Sequence, residues 1–289
     1  MQGSGRLALK AVLGFWLLAG AAIASVIHLQ NRKRRKSAIG VIPARYASGR
    51  FPGKPLVDIR GKPMIVRTYL QAKKALTLDR LVVATDDIRI AAACEVAGAE
   101  VIMTSENCAN GTERCHEAVC KLKAKHDIVV NIQGDEPLVE PAMIDEVVEA
   151  LREKPEAVFS TACTPMERRE VPLRHRVKCI LDQKGFAIYF SRGVLPANKA
   201  GDVRPFPTPH QDKPYLLHLG LQAYDRNFLG LYCQMPPTPL MLMEDLEQLK
   251  VLENGYKMKV VIVDHCAHGV DVPADVDDIL RIMRDEGLQ

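Results

Sequence analysis

A chain of 289 residues with 47% hydrophobic and 26% charged side chains is ordinary globular material, which excludes an intrinsically disordered polymer. Its formal net charge of +4 does not mark a nucleic-acid surface, because Arg6, Lys10 and the cluster Arg32, Lys33, Arg34, Arg35 and Lys36 carry seven of the positive charges and leave the remainder near −3. Eight cysteines without a CxxC pair or a regular framework read as reduced thiols, which excludes a small secreted disulfide scaffold.

In chain order, the first feature is the uncharged run Ala11 to Ile27, broken only weakly by Gly14, Gly20 and Ser25. It approaches the length of about 20 residues that spans a bilayer. A cleaved signal peptide is the competitor, since "AIAS" resembles a small-residue cleavage site. The basic cluster follows the apolar run instead of preceding it, and this favours a membrane anchor over residues 1–36 with the domain 37–289 on the cytosolic side. A short anchor with downstream Arg and Lys fits the mitochondrial outer membrane, with the endoplasmic reticulum as the other possibility.

The next segment, "VIPARYASGRFPGKPL" from Val41 to Leu56, joins a strand ending to a loop with Ser48, Gly49 and Gly53 and the cations Arg45, Arg50 and Lys54. Apolar residues Ala38 to Ile42 predict an interior parallel strand, and ligands in open α/β sheets collect at its carboxyl edge. Backbone N–H groups of such a loop can turn toward an anion, while Arg forks and a Lys point charge suit a triphosphate. The pattern is neither Walker A nor GxGxxG. A basic surface turn with incidental glycines is the alternative.

Further on, strand and helix signals alternate with short linkers, as in a doubly wound sheet. Strands are predicted at Arg80–Asp87, Glu100–Met103, Asp127–Pro137 and Lys257–Val263, with helices at Ile88–Gly98, from Gly111, and at Met243–Asn254 and Ala274–Glu286. Thr164 to Asn227 reads as an irregular insertion or flap carrying substrate and dimer contacts. "NIQGDEP", Asn131 to Pro137, places Asp135 on the ligand edge, and Mg²⁺ needs only one or two carboxylates plus phosphate oxygens and waters. Asp271 in "GVDVPAD" stands before a Pro-started helix, where an aspartate is commonly a cap. Arg192 in "FSR" could clamp a carboxylate, and His218, Glu247 and Gln248 could meet hydroxyls, although Glu247 and Gln248 would ordinarily lie on the solvent face of a helix. Neither Cys108, Cys115, His116 and Cys120 nor "HCAH" at His265–His268 has zinc-ligand spacing.

The string Val41–Leu56, "QGDEP" and "NGTER" (Asn110–Arg114) resemble the 3-deoxy-manno-octulosonate cytidylyltransferases over Ile39 to Arg284. The form implied is eukaryotic and plant-like, because bacterial members lack the amino-terminal segment. The resemblance implies a three-layer Rossmann-like nucleotidyltransferase fold, α/β, with a mostly parallel mixed sheet and an inserted substrate and dimerisation region. It implies a homodimer that uses CTP and 3-deoxy-manno-octulosonate (Kdo). Asp135 and Asp271 would hold magnesium, and Arg45 and Lys54 would join them in catalysis. The nucleotide side would comprise Ala44, Arg45, Ser48, Arg50, Lys54, Thr112, Arg114 and Gln133. The sugar side would comprise Gln133, Arg192, His218, Gln222, Glu247 and Gln248. This chain departs from the bacterial pattern at Gly49, Leu217 and Gln222, where those members carry Ser or Thr, Arg, and Tyr. Two other readings are a cytidylyltransferase for another keto-acid sugar, such as sialic acid, and a non-catalytic membrane-tethered scaffold.

Overall fold

The computed structural model describes residues 35–47, 51–123, 125–197, 199, 215–265 and 268–288. Residues 1–34 of the expected anchor, Ser48, Gly49 and Arg50, and nearly all of the loop Asn198–Pro214 lie outside the described residues. Among the described residues no helix is long and apolar enough to cross a membrane. One compact unit spans Ser37–Gln289.

Strand β1 is Ala38–Ala44, followed by a 3₁₀ turn at Lys54–Leu56 and the small hairpin β2 (Asp58–Ile59) and β3 (Lys62–Pro63). Helix α1 (Met64–Ala72), β4 (Arg80–Thr85), α2 (Ile88–Val96), β5 (Glu100–Met103), α3 (Gly111–Lys121), β6 (Ile128–Asn131) and α4 (Pro141–Glu153) complete the first half. The second half runs β7 (Ala157–Pro165), β8 (Lys178–Leu181), β9 (Ala187–Ser191), β10 (Leu216–Asp225), α5 (Arg226–Gln234), α6 (Pro239–Glu244), α7 (Glu247–Glu253), β11 (Lys257–Ile262) and α8 (Pro273–Asp285).

The main sheet has the order β11-β7-β10-β6-β1-β4-β5, with β8 joined to β10 and β9 joined to β8. Pairings β1 with β4, β1 with β6, β4 with β5 and β7 with β11 are parallel, while β10 runs antiparallel to both β6 and β7. Strand β1 shows why helices cover both faces. Ala38, Ile42 and Ala44 enter one apolar cluster with α1, α2 and α4, and Ile39 and Val41 enter the opposite cluster with α3, α5 and α7. A strand with both pleats buried has to be sandwiched, so three layers follow. The chain moves from β1 outward to β5 and then returns across β1 to β6, which makes the β1/β6 edge the switch point of the sheet.

Three expectations are corrected. The predicted strand to Pro137 ends at Asn131, because Gln133 to Asp135 turn away into a loop. The predicted helix Met243–Asn254 is two helices, divided at Asp245, whose φ of 51° is left-handed. The region read as an irregular flap contains β10, which fills the sheet between β6 and β7.

Candidate active site

The loop after β1 returns through Gly53, whose φ of 72° is left-handed and whose missing side chain leaves room for the Tyr46 ring, 3.1 Å from where a Cβ would stand. Its N–H donates to the Tyr46 carbonyl at 3.0 Å, and the other side of the turn is braced by the Arg89 guanidinium stacked 3.4 Å from the Tyr46 centroid. Only glycine combines that backbone angle with that contact, and the result starts the 3₁₀ turn with Lys54 aimed inward.

Lys54 Nζ donates to Asp135 Oδ2 at 2.7 Å and to the Val270 carbonyl at 2.7 Å, and lies 3.7 Å from Asp271 Oδ1. Both predicted metal-binding carboxylates therefore reach one cation. The Val270 N–H donates to the Asp135 carbonyl at 2.9 Å, which ties the two loops together through backbone. The capping alternative for Asp271 is answered by Asp275. Its Oδ2 accepts from the N–H groups of Asp271 and Val272 at 2.7 and 2.9 Å, so Asp275 satisfies the start of α8 and the Asp271 carboxylate faces Lys54 instead.

A cavity of about 320 Å³ opens here, lined among others by Ala44, Arg45, Lys54, Gln133, Asp135 and Asp271. Its opposite wall is the start of α3. Asn110 caps that helix by accepting from the Glu113 N–H at 2.8 Å, and Asn110, Gly111 and Arg114 line the cavity. Arg114 is largely spent internally. Its Nη2 pairs with Asp86 Oδ2 at 2.6 Å and its Nη1 donates to Thr104 Oγ1 at 2.6 Å. Beside Asp135, burial first and the Asp135 charge second push the Glu136 carboxyl up to about 7.

The sugar-side expectations fall into three groups. His218 and Gln248 come together, with Gln248 Nε2 3.4 Å from His218 Nδ1, and Phe190 packs edge-on at 4.9 Å from the imidazole. Burial pulls His218 down to about 4, so it is neutral at pH 7. Gln248 is 3% exposed, which overturns the solvent-face expectation. Glu247 accepts from Thr112 Oγ1 at 2.6 Å, burial raising its carboxyl above the usual range. Thr112 thus faces the interior rather than the cavity and is not the helix cap. Gln222 Oε1 accepts from Tyr224 OH at 2.7 Å, and that hydroxyl lies 3.3 Å from Thr112 Oγ1. Arg192 stands apart from the expected clamp. Its Nε donates to the Glu244 carbonyl at 2.6 Å and its Nη2 to the Asp245 carbonyl at 3.1 Å, so it secures the α6–α7 junction.

Sequence reasoning assigned no role to Asn110, Glu136 or Thr161. Asn110 and Glu136 stood inside quoted motifs, but Thr161 lies in an apolar strand with nothing in its neighbourhood to single it out.

Two carboxylates, one lysine and an arginine at the carboxyl edge of β1 and β6 are equipped to hold a polyphosphate and a hard divalent cation. A family model described as cytidylyltransferase matches residues 39–260. The 3-deoxy-manno-octulosonate cytidylyltransferase, mitochondrial, of Arabidopsis thaliana is 58% identical over 277 residues, covering 94% of this chain and 93% of the relative. The 3-deoxy-manno-octulosonate cytidylyltransferase of Protochlamydia amoebophila is 45% identical over 83% of this chain and 92% of its own length. A solved CMP:2-keto-3-deoxy-manno-octonic acid synthetase complexed with CTP superposes with a TM-score of 0.78 at 35% identity, covering 86% of this chain and 99% of that one. With a family match across most of the domain and relatives of this identity along nearly the whole length, the chain belongs to the cytidylyltransferase family.

Proposed function

We propose that this chain transfers the cytidylyl group of CTP to Kdo, giving CMP-Kdo and pyrophosphate. The observation that carries the reading is the convergence of Asp135 and Asp271 on Lys54 at the switch point of a sheet shared with a CTP-complexed relative. In the reaction the C2 hydroxyl oxygen of Kdo forms a bond to the α-phosphorus of CTP. The bond from that phosphorus to the bridging oxygen of the β-phosphate breaks, pyrophosphate leaves, and the hydroxyl proton passes to solvent. Such a transfer depends on positioning and charge stabilisation and needs no protein nucleophile.

The residues fit magnesium. Asp135 and Asp271 are hard oxygen donors that already share a cation, and their partial exposure leaves room for phosphate oxygens and water. When bound, the ion supplies charge neutralisation at phosphate oxygens and acidifies a coordinated hydroxyl. Lys54, Arg45 and Arg50 offset triphosphate charge, and Gln133, His218 and Gln248 orient the keto acid. Arg114 holds the start of α3 against Asp86.

Pyrophosphate release should require CTP, Mg²⁺ and Kdo together, with sialic acid turned over at least about a hundredfold less well, a conservative bound given that a site hydrogen-bonding specific hydroxyls can discriminate by about 10⁴–10⁵. No release with Kdo, or equal release with sialic acid, overturns the substrate assignment.

The run Ala11–Ile27 with its basic flank supports an anchor in the mitochondrial outer membrane, in keeping with the mitochondrial designation of the Arabidopsis relative. The full chain should stay with mitochondrial membranes through alkaline carbonate extraction, with its domain accessible to protease added outside. Release into the supernatant rejects the anchor.

A further inference from the structure

The strand β10 carries a defect beside the cleft. His218 pairs with Cys163 of β7 and Gln222 pairs with Thr161, so Leu219, Gly220 and Leu221 stand against the single residue Ala162. The bulge brings Gly220 onto Gln133, whose Cγ would lie 3.1 Å from an added Cβ, and Gln133 lines the cavity. The extra length is held by one side chain. Thr161, fully buried on β7, donates its hydroxyl to the Leu221 carbonyl at 2.7 Å, and the same oxygen lies 2.9 Å from His218 Nε2 and 3.5 Å from the Leu219 carbonyl.

A hydroxyl has one hydrogen, and a carbonyl can only accept. With that hydrogen on the Leu221 carbonyl, Thr161 Oγ1 must accept from His218, which puts the imidazole proton on Nε2. Nδ1 is then bare, and the group 3.4 Å away is the Gln248 amide nitrogen, a donor. The direction of every bond in the series Gln248, His218, Thr161, Leu221 is thereby set from its buried end. We propose that Thr161 is a positioning residue for the keto-acid side of the site, fixing the His218 tautomer, the Gln248 amide orientation and the bulge that seats Gly220 on Gln133. The inference rests on the reading that His218 and Gln248 face Kdo. It adds the group that orients them.

The test pairs kinetics with spectroscopy on the full chain. Thr161→Val keeps the shape and loses the hydroxyl, and Thr161→Ser keeps the hydroxyl. Thr161→Val should raise KM for Kdo about tenfold, equivalent to about 1.4 kcal/mol, with KM for CTP within about twofold and Thr161→Ser restoring most of the loss. Unchanged KM for Kdo, an equal rise for both substrates, or failure of Thr161→Ser to restore function overturns the proposal. In wild-type protein at pH 7, the ¹⁵N signals of His218, assigned against His218→Gln, should show a protonated Nε2 and a bare Nδ1. The opposite tautomer or an imidazolium sinks the inference even where Thr161→Val does not fold. Absence of wild-type turnover with Kdo and CTP would reject the substrate reading instead, while the tautomer still reports on Thr161.

Discussion

Asp135→Asn should reduce turnover at least about a hundredfold, the loss expected when one preorganised charge-stabilising group is removed from a water-restricted site. The substitution keeps the shape of the side chain and the backbone bond from Val270 to the Asp135 carbonyl. It removes the negative charge that meets Lys54 at 2.7 Å and that would share magnesium with Asp271. The fold should persist. The side chains of Lys54 and Asp135 are 15% and 31% exposed, so the pair is largely shielded from water, and losing the charge on one partner should cost about 1–3 kcal/mol, which a domain with this core survives. In a domain of this size, 1 kcal/mol moves Tm by about 2–4 °C. Activity measured beside a thermal melt decides the matter: near-normal turnover would reject Asp135 as a metal-binding residue, and a collapsed melt would show a structural role.

Gly134→Ala should have the second large effect, through space alone. A Cβ at this position would stand 2.9 Å from the Pro43 carbonyl oxygen and 3.0 Å from Ile65 Cδ1. The first of these is backbone at the end of β1 and cannot swing aside. Unlike Gly53, Gly134 has no left-handed angle that alanine would resist, so the whole penalty is the forced separation of β1 from the loop after β6. Overpacking of this kind costs about 1–3 kcal/mol. The more severe consequence is functional, because Asp135 is the next residue, and a displacement near 1 Å in a positioned group can cost about a hundredfold in rate. A lowered melt together with lost turnover is expected, and wild-type behaviour in both would refute the close-approach account.

The contrast between Asp135 and Asp271 shows what could be read without coordinates. Asp135 stands out because a buried strand runs into Gln-Gly-Asp, and an interior parallel strand leads its terminal residues to the ligand edge. Asp271 was ambiguous because a residue before a Pro-started helix serves equally as a cap. The decision depended on Asp275, four residues on, taking the capping bonds itself. The bonding of Arg192 was not legible for a related reason. Its carbonyl partners are presented by the left-handed kink at Asp245, a backbone state that few non-glycine residues adopt and that no local pattern announced. The same kink ends the expected long helix and restarts it with Gln248 inside. Strand β10 is hidden in the sequence because Thr164 to Asn227 is rich in proline and irregular; within it the polar His218 and Gln222 are tolerated because Thr161, Tyr224 and Gln248 satisfy them.

Helix α8 has its own small apolar cluster, in which Ile279 and Met283 pack with Ile59, Met64, Leu138 and Val270, separate from the two clusters that flank the main sheet. Asp271 is delivered to Lys54 from the start of that helix. The scaffold and the reactive pair therefore have different fragilities. Mild denaturant should therefore peel this segment away and silence the protein while the sheet is still intact, so catalytic output should be a more sensitive gauge of integrity than any measure of bulk secondary structure.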